Sequence, residues 1–377
     1  MLETAKHKIL TIIGTRPEAI KLAPVVEELG RRADRFVSKV CVTAQHRQML
    51  DQVLAIFGIE PDHDLNIMAF GQGLAQVTAR AIEGLDRVLA KEQPDVVLVQ
   101  GDTTTAFCGA LAAYYHQVKV GHVEAGLRTD NKYVPFPEEI NRRLVGQLAD
   151  YHFAPTDRAK EALIGEGVAP GNVFVTGNTV IDALLWVRER VQNEWPELPD
   201  GLAEAVEGRQ VILVTAHRRE SFGEGFEQIC HAIREVADAF PDVVFVYPVH
   251  PNPNVREPVH RILGGHERIH LVEPLSYEPF VWLMDRTTIV LTDSGGVQEE
   301  APSLGKPVLV MREITERTEG IAAGNACLVG VRKDGIVHGL TQLLRHPEQR
   351  MAMSTNRNPY GDGKAAARIV EVLAQFL

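Results

Sequence analysis

Short, continuously apolar runs alternate with helical stretches along the whole sequence, six in each half. The runs are Lys8–Ile13, Lys39–Thr43, Asp95–Gln100, Val118–Val123, Tyr151–Ala154, Val173–Thr176, Val211–Thr215, Val243–Tyr247, Ile269–Val272, Ile289–Thr292, Val308–Met311 and Ala326–Val329. A strand that helices cover on both faces has no polar side, so continuous rather than alternating apolar residues indicate buried parallel strands. Their alternation with helices predicts an α/β protein with two doubly wound parallel sheets.

The end of the sixth run marks the expected boundary between two Rossmann-like domains. Thr179 with Asp182 resembles a helix N-cap there, and apolar residues at helical spacing follow. We therefore expect an N-terminal domain over residues 1–176 and a C-terminal domain over residues 177–363. The last helix, about residues 364–377, could pack back on the N-terminal domain or on the C-terminal one.

Composition agrees with a two-domain globular protein. A chain of 377 residues is too long for one ordinary core, and 45% apolar with 24% charged residues is typical of folded domains. The net charge of −11 argues against a nucleic-acid-binding protein, which normally shows a basic face. An anionic small substrate stays possible, because a local group of Arg and Lys can bind a phosphate within an acidic protein.

Cysteine usage and hydropathy predict a cytoplasmic protein. Cys41, Cys108, Cys230 and Cys327 are far apart and form no CxxC pair, so buried thiols are expected. The first residues lack a basic segment followed by an apolar one, and no apolar run approaches the length of a membrane span. We therefore expect a reduced, cytoplasmic protein with no membrane and no nucleic-acid partner.

Polar residues recur directly after the predicted strands. These clusters are Gly14-Thr15-Arg16, Gln45-His46, Gly101-Asp102, Glu124–Arg128, His217-Arg218-Arg219-Glu220, His250 and Asp293-Ser294-Gly295-Gly296. Each cluster alone suits a solvated loop. In open α/β sheets, however, ligands bind beyond the carboxyl ends of the strands. Their shared edge therefore favours one ligand site, in a cleft across which the two domains face each other.

The loop after the tenth run is suited to an anion. Ser294-Gly295-Gly296 stands between a predicted strand and a predicted helix, where backbone amides and the Ser294 hydroxyl can point at a phosphate. Glu300, about one turn further on, could accept hydrogen bonds from ribose hydroxyls. A tight turn with a helix cap is the alternative for this segment. Neither half carries GxGxxG after a strand, so no nicotinamide or flavin cofactor is predicted.

Three basic residues are further candidates for phosphate contacts. Arg317 follows the next predicted strand and could cover the other side of a diphosphate. Arg16 precedes Pro17 at an expected helix start, where both the guanidinium and the helix N-terminus favour a phosphate. For Lys21, composition favours a surface ion pair and phosphate binding equally.

Three acidic residues are candidates for proton transfer. Asp102 and Glu124 each follow an apolar strand, and Glu138 lies in the segment Pro135-Phe-Pro-Glu-Glu139. A carboxyl group that is partly desolvated beside a diphosphate has a raised pKa, which suits an acid or base at neutral pH. A loop or N-cap carboxylate is the alternative, and Asp102 could cap the helix that follows it. His217 suits a packed loop histidine, but its HRRE neighbours favour a phosphate-facing role.

At these residues the chain closely resembles the non-hydrolysing UDP-N-acetylglucosamine 2-epimerases, whose fold is of the glycosyltransferase-B type. The resemblance runs essentially end to end. Its blocks are GTRPEAIKLAP, CVTAQHRQMLDQVL, PDVVLVQGDTTT, VGHVEAGLRT, PFPEEINRR, VTGNTVIDALLWV, HRRESFG, YPVHPNPNVREPV, LTDSGGVQEEAPSLGKPVLVMR and NPYGDG. Several such blocks in order are far more specific than any single motif.

The resemblance implies a role for individual residues. The residues implied in UDP binding are Arg16, Lys21, His217, Phe280, Ser294, Gly295, Gly296, Glu300 and Arg317. Those implied in catalysis are Asp102, Glu124 and Glu138, with His217 stabilising the leaving diphosphate. A regulatory site for a second UDP-N-acetylglucosamine is matched by Gln45, Gln48, Gln72 and His250. The chain departs from some relatives at Gly71, Leu275 and Thr318, and the first of these bears on activation by substrate.

The implied reaction is the reversible epimerisation of UDP-N-acetylglucosamine at C2 to UDP-N-acetylmannosamine. UDP is eliminated to leave 2-acetamidoglucal and is then added back, with UDP-N-acetylglucosamine and UDP as the small-molecule partners. No cofactor is implied, and no His, Cys and carboxylate set has the spacing of a metal site. The resemblance also implies a homodimer that supplies a precursor for cell-surface polysaccharide.

Three other functions stay open. A glycosyltransferase of the same fold that uses a UDP-sugar donor would share the UDP site, but the acidic trio favours the epimerase. A hydrolysing 2-epimerase would release N-acetylmannosamine and UDP, and would differ in how well its site excludes water. A nucleotide-sugar sensor without catalysis would not need the three carboxylates.

Overall fold

The computed structural model describes residues 6–44, 47–69 and 71–377. The strands are β1 His7–Ile13, β2 Phe36–Val42, β3 His63–Asp64, β4 Val96–Gln100, β5 Lys119–Val123, β6 Tyr151–Ala154, β7 Val173–Val175, β8 Gln210–Thr215, β9 Val243–Pro248, β10 Ile269–Val272, β11 Ile289–Thr292, β12 Val308–Val310 and β13 Ala326–Leu328. All twelve predicted strands are therefore present, with ends that differ by at most a few residues.

Helices follow the strands along the chain. They are α1 Arg16–Arg31, α2 Arg47–Ile56, α3 Leu74–Glu92, α4 Thr104–Tyr115, α5 Glu138–Leu148, α6 Asp157–Gly165, α7 Thr179–Asn193, α8 Leu202–Val206, α9 Glu224–Ala239, α10 Pro253–Leu263, α11 Tyr277–Arg286, α12 Gly295–Glu300, α13 Thr318–Ala322, α14 Lys333–Arg345, α15 Pro347–Thr355 and α16 Ala365–Phe376. No helix in the described part of the chain combines the length and the hydropathy needed to cross a bilayer.

The strands form two parallel sheets, which confirms the predicted doubly wound α/β class. One sheet has the order β3-β2-β1-β4-β5-β6-β7 and the other has the order β10-β9-β8-β11-β12-β13. The order reverses between β1 and β4, and again between β8 and β11, so that the loops beyond each pair diverge and leave a crevice. Among the strands of the described residues, the prediction missed only β3, whose two polar residues pair with Cys41 and Val42 at the edge of the first sheet.

The chain divides into two compact units. The first unit combines the chain up to Ala183 with Gly361–Leu377, and the second is Leu184–Tyr360. The final helix α16 belongs to the first unit, because Ile369, Val370 and Leu373 pack in the same apolar cluster as β1. The domain limits expected at residues 176 and 363 stay a prediction.

The predicted cap of α7 is wrong. Thr179 is the first helical residue, and the preceding Asn178 accepts a hydrogen bond at Oδ1 from Val180 N at 3.2 Å. The Asp182 carboxylate instead accepts bonds from the first two amides of α16, Ala366 N at 2.8 Å and Ala365 N at 3.2 Å. Asp182 therefore links α7 to the returning C-terminal helix within the first unit, and burial raises its pKa to about 6.

Helix α4, which follows Asp102, lies unusually close to the first sheet. Its inward positions are small residues that are fully buried, among them Ala106, Gly109 and Ala110. A methyl group on Gly109 would lie 2.8 Å from Val99 Cγ1 and 3.1 Å from Ile12 Cδ1. The absence of a side chain there therefore sets how closely the start of α4 approaches the sheet edge.

The same substitution should have opposite effects at two helical glycines. Gly109→Ala should lower the free energy of unfolding by about 1–3 kcal/mol, because the added methyl group overlaps Val99. Gly30→Ala in α1 has open space around the new methyl group and should raise it by about 0.5 kcal/mol. Urea unfolding of the two variants beside the wild type measures both values, and effects of the same sign would contradict this packing.

Candidate active site

The carboxyl ends of three neighbouring strands bring the predicted catalytic residues of the first unit together. Strand β4 pairs in parallel with β1 and with β5, and its last residue, Gln100, is opposite Val123. Asp102 lies two residues after Gln100, and Glu124 lies one residue after Val123. Both side chains are therefore at the same edge of the sheet. The loop after β1 leads into α1, which carries Arg16 at its exposed first position and Lys21 one turn further on.

Glu124 is held in a constrained backbone conformation. Its φ is +61°, in the left-handed region that a residue with a side chain rarely adopts, and its exposed fraction is 6%. Its Oε2 is 2.5 Å from Lys21 Nζ and accepts a hydrogen bond from Gln100, and its Oε1 accepts one from Asn178 Nδ2 at 3.1 Å. A strained residue whose side chain is bonded on every side to the same unit is typical of a functional site.

Asp102 is surrounded by charges of both signs. Gly101 precedes it with φ of +68°, which turns the chain at the end of β4, and Arg142 Nη2 lies 2.5 Å from Asp102 Oδ2. Burial raises the pKa of Asp102, Arg142 and Lys21 act against that rise, and Glu124 and Glu138 add to it. The three predicted carboxylates are therefore within electrostatic reach of one another.

The alternative interpretation of Asp102 as a helix cap does not hold. The N-cap of α4 is Thr103, whose Oγ1 accepts a hydrogen bond from Ala106 N at 3.0 Å. The Asp102 side chain therefore does not cap the helix, and its carboxylate pairs with Arg142 instead. Glu138, the third predicted carboxylate, is half-buried as the first residue of α5, one helical turn before Arg142.

Sequence reasoning missed a fully buried carboxyl group at this edge. Glu18 accepts hydrogen bonds from Gly14 N at 3.2 Å, Thr15 Oγ1 at 2.8 Å and Thr103 Oγ1 at 2.8 Å. It thus joins the loop that leads to Arg16 with the loop that carries Asp102. Burial raises the pKa of Glu18 to about 7 against the lowering by these bonds. The Thr15-x-x-Glu18 spacing, which is that of a capping box, was the available signal.

Two further residues were missed because they act on Asp102 from α5. Asn141 Nδ2 donates to the Asp102 carbonyl oxygen at 2.9 Å, and Arg142 bonds the carboxylate. Helical spacing within the block PFPEEINRR places them one turn beyond Glu138, which is the signal that a sequence could offer. His122 Nε2 is 2.8 Å from the Gly101 carbonyl oxygen, and burial lowers the pKa of His122 to about 3, so its ring is neutral.

In the second unit a buried aspartate organises the loop after β8. Asp293 is fully buried, and its Oδ2 accepts hydrogen bonds from the backbone of His217 at 2.7 Å and of Arg218 at 2.8 Å. The side chain of His217 is 43% exposed, and its ring stacks on that of His250 with 5.5 Å between centroids. The sequence-predicted His217 and Ser294 are therefore brought to one edge of this sheet, with Asp293 between their loops.

The turn between β11 and α12 is fixed by a hydrogen-bonded network. Ser294 N donates to Thr292 Oγ1 at 2.9 Å, and the Ser294 carbonyl oxygen accepts a bond from Gln298 Nε2 at 3.0 Å. Gln298 Oε1 in turn accepts a bond from Thr315 Oγ1 at 2.8 Å, close to Arg317 in sequence. The backbone at Ser294–Gly296 is thereby pre-organised.

Arg317 and Glu300 lie on either side of this turn. A methyl group on Gly295 would be 3.2 Å from Arg317 Cζ, so the missing side chain allows the guanidinium to cover the start of α12. Arg317 Nε donates to Glu299 Oε1 at 2.9 Å. Glu300 accepts a bond from the Tyr277 hydroxyl at 3.1 Å, on the helix α11 that also carries the half-buried Phe280. The predicted UDP-binding residues of this unit thus surround one turn or flank it.

The predicted regulatory residues are described only in part. Gln45 and the side chain of Gln48 lie outside the described residues. Gln72 Oε1, in the first unit, accepts a bond from Arg80 Nη1 at 3.2 Å, and His250 is the stacking partner of His217 in the second unit. The regulatory site therefore stays a prediction.

Among residues 6–44, 47–69 and 71–377, no three His, Cys, Asp or Glu side chains are grouped as they would be around a metal ion. The carboxylates at the first sheet edge are instead paired with Lys21 and Arg142. Cationic side chains therefore neutralise and position these carboxylates.

Two doubly wound units, one with clustered carboxylates and one with a glycine turn before a helix, define an α/β enzyme of the glycosyltransferase-B fold class. A family model described as UDP-N-acetylglucosamine 2-epimerase matches residues 28–374. The chain belongs to this family.

Individual relatives are similar over their full length. The UDP-N-acetylglucosamine 2-epimerase of Escherichia coli K12 is 57% identical over 369 residues, which are 97% of this chain and 98% of the relative. A crystal structure of the Neisseria meningitidis UDP-GlcNAc 2-epimerase bound to UDP-GlcNAc has a TM-score of 0.88 and 50% identity, covering 98% of this chain and 100% of that one. The Methanocaldococcus jannaschii enzyme in complex with UDP-GlcNAc and UDP has a TM-score of 0.79 and 32% identity, covering 98% and 99%. The predicted family and enzyme class are confirmed.

Glu18 should make stability depend on pH. Its pKa is about 7 in the folded chain against an ordinary 4.5, so its contribution is complete below pH 4.5 and is lost as the pH rises through 7. Relative to the wild type, Glu18→Gln should therefore gain about 3 kcal/mol in unfolding free energy between pH 4.5 and about pH 8. Urea unfolding across this range measures the difference.

The matched control is Glu27→Gln, which removes a half-exposed carboxylate from the same helix. Its unfolding free energy should stay within about 0.5 kcal/mol of the wild type at each pH. A Glu18→Gln difference that does not change with pH would show that this carboxyl group titrates alike in the folded and unfolded chain.

Proposed function

We propose that this chain interconverts UDP-N-acetylglucosamine and UDP-N-acetylmannosamine without hydrolysing them. The observation that carries the proposal is the grouping of Asp102, Glu124 and Glu138 at one sheet edge, in a chain that belongs to the 2-epimerase family. The family relative from Neisseria meningitidis is described as bound to UDP-GlcNAc, which supports the same substrate here.

The chemistry explains why several carboxylates are needed. The hydrogen at C2 of the sugar is not next to a carbonyl group, so its direct removal would need an extremely strong base. Departure of UDP from C1 at the same time makes C1 electron-deficient, which acidifies the neighbouring C2–H and makes its proton removable. The C2–H and C1–O bonds break, a C1–C2 double bond forms, and 2-acetamidoglucal and UDP result. Return of UDP to C1 with a proton added to the opposite face of C2 gives the epimer.

Proton transfer on the two faces of C2 is the proposed task of the three carboxylates. The burial and the mutual repulsion that raise the pKa of Asp102 bring it towards the neutral range in which a carboxyl group exchanges protons efficiently. Glu124, bonded to Lys21, keeps its position through that ion pair. Glu138 approaches from the start of α5.

Stabilisation of the leaving diphosphate is the proposed task of the predicted UDP-binding residues. Developing negative charge is best stabilised by donors that are fixed before the reaction. The pre-organised amides at Ser294–Gly296, the guanidinium of Arg317 and the ring of His217 are such donors, and Arg16 and Lys21 add positive charge. Glu300 and Phe280 are proposed to contact the nucleoside.

Proton NMR with UDP-N-acetylglucosamine alone in D2O tests the proposal. We expect deuterium at C2 and accumulation of UDP-N-acetylmannosamine, because the proton returned to C2 comes from an exchanged carboxyl group. Free N-acetylmannosamine with UDP would indicate a hydrolysing epimerase instead. An absence of exchange with excess substrate would contradict both and favour a transferase that needs an acceptor.

Variants identify the groups that carry the reaction. Asp102→Asn, Glu124→Gln and Glu138→Gln should each lower kcat by about 10²–10⁴-fold, as expected for loss of a proton-transfer group, while UDP binding is retained. Glu161→Gln, on the exposed face of α6, is the matched control and should keep the wild-type rate. A carboxylate variant with the wild-type rate of C2 exchange would remove that residue from the mechanism.

The remaining expectations rest on the family resemblance. We propose that the chain is a cytoplasmic homodimer that needs no cofactor and supplies a precursor for cell-surface polysaccharide, with domain limits near residues 176 and 363. Sedimentation velocity should give about twice the mass of the 41.6 kDa chain, and a single-chain mass would contradict the dimer. A second UDP-N-acetylglucosamine site with Gln45, Gln48, Gln72 and His250 predicts that trace UDP-N-acetylglucosamine accelerates turnover of UDP-N-acetylmannosamine; unchanged turnover would contradict it.

A further inference from the structure

We propose that Arg142 is a positioning residue of the epimerisation, whose guanidinium holds the Asp102 carboxyl group in place and favours its charged form among neighbouring carboxylates. The inference rests on the proposed function for its catalytic consequence. Its structural part concerns only the first unit and can be tested without the reaction.

The contacts of Arg142 and its neighbour orient Asp102. Its Nη2 lies 2.5 Å from Asp102 Oδ2, and its side chain is only 10% exposed. The neighbouring Asn141 donates to the Asp102 carbonyl oxygen at 2.9 Å, so consecutive residues of α5 hold both the backbone and the side chain of Asp102.

Arg142 is itself held by a buried glutamate one turn earlier. Glu139 is 0% exposed, and its Oε2 lies 3.6 Å from Arg142 Nη1 and accepts a bond from Thr129 N at 3.1 Å. Its Oε1 accepts a bond from Arg143 Nε at 2.9 Å. Arg142 Nε is buried without a hydrogen-bond partner among the described residues. The guanidinium is therefore held by its contacts with the carboxylates of Asp102 and Glu139. Glu139 therefore acts on Asp102 through Arg142.

The electrostatic surroundings of Asp102 explain why a cation is needed. The charged and titratable groups around it are Glu138, Glu139 and Arg142 from α5, Lys21 and Glu18 from α1, and His122 and Glu124 from β5 and its end. Of the two cations, Lys21 is already paired with Glu124 at 2.5 Å. His122 is neutral. Loss of the Arg142 charge would leave Asp102 beside Glu124 and Glu138, and it would then hold a proton to higher pH.

The kcat–pH profile of Arg142→Met is the first test. We expect kcat near pH 7 to fall by about 10²-fold or more, with KM and the Kd for UDP within about threefold of the wild type. The limb of the kcat–pH profile that reports Asp102 is identified by its absence in Asp102→Asn. In Arg142→Met, the midpoint of this limb should move up by about one to three pH units. Arg142→Lys retains the positive charge. The midpoint of this limb should therefore return most of the way to its wild-type pH, and part of kcat should be restored.

Arg143→Gln is the matched control on the same helix. Arg143 contacts Glu139, Glu166 and Asp130, and none of its described contacts is to Asp102. Its limb should stay at the wild-type pH. A limb that is unmoved in Arg142→Met, or that moves equally in Arg143→Gln, would overturn the proposal, as would equal losses of kcat in the Met and Lys variants.

A direct titration separates this inference from the proposed function. In protein labelled with ¹³C at aspartate carboxyl groups, the Asp102 signal is identified by its absence in Asp102→Asn. Its pKa should rise by about one to three units in Arg142→Met. If the Asp102 pKa shifts in this way but the wild type shows no C2 exchange, the positioning role is retained and the epimerase is rejected. C2 exchange in the wild type, together with an Asp102 pKa that is unchanged in Arg142→Met, would support the epimerase and reject the positioning role.

Discussion

Parallel pairing of β4 with β1 on one side and β5 on the other is the constraint on which the rest of the site depends. It aligns Gln100 with Val123, so Asp102 and Glu124 leave the sheet at the same edge. Carboxylates crowded in this way repel one another and lose hydration. Each is therefore matched by a cation from a different helix, Lys21 for Glu124 and Arg142 for Asp102. A buried ion pair adds little to stability once desolvation is counted, which favours a functional reason for both pairs.

The two units solve different problems with the same sheet topology. In the first unit, charged side chains meet at the edge, and cations and the buried Glu18 fix their positions. In the second unit, buried polar groups fix the backbone instead: Asp293 bonds the loop after β8, and Gln298 bonds the turn before α12. Fixed amides suit an anion that must be stabilised as it leaves, and titratable carboxyl groups suit a proton that must move. Both demands arise in a single elimination of a nucleoside diphosphate.

Local patterns were enough to predict the strands, but not the partners of individual polar residues. An apolar run reports its own burial, which is why all twelve predicted strands are found, whereas the polar pair of β3 carries no such signal. Capping is hard to assign from sequence because adjacent residues compete for one role. Asn178 rather than the predicted Thr179 caps α7, and Thr103 caps α4, where Asp102 was the alternative interpretation. Glu18 could not be linked to Thr103 from sequence, since 85 residues separate them.

The adjacent glutamates of α5 show how one residue of offset divides two roles. Successive residues on a helix point about 100° apart, so only one of Glu138 and Glu139 can face the interior of the unit. Glu139 takes that place: both its oxygens accept bonds and it is 0% exposed. Glu139 is thereby committed to Thr129, Arg142 and Arg143. Glu138 is half-buried at the helix start, and its charge acts on Asp102. Burial therefore supports the catalytic assignment that the family resemblance implies for Glu138, and it gives Glu139 the separate task of holding Arg142.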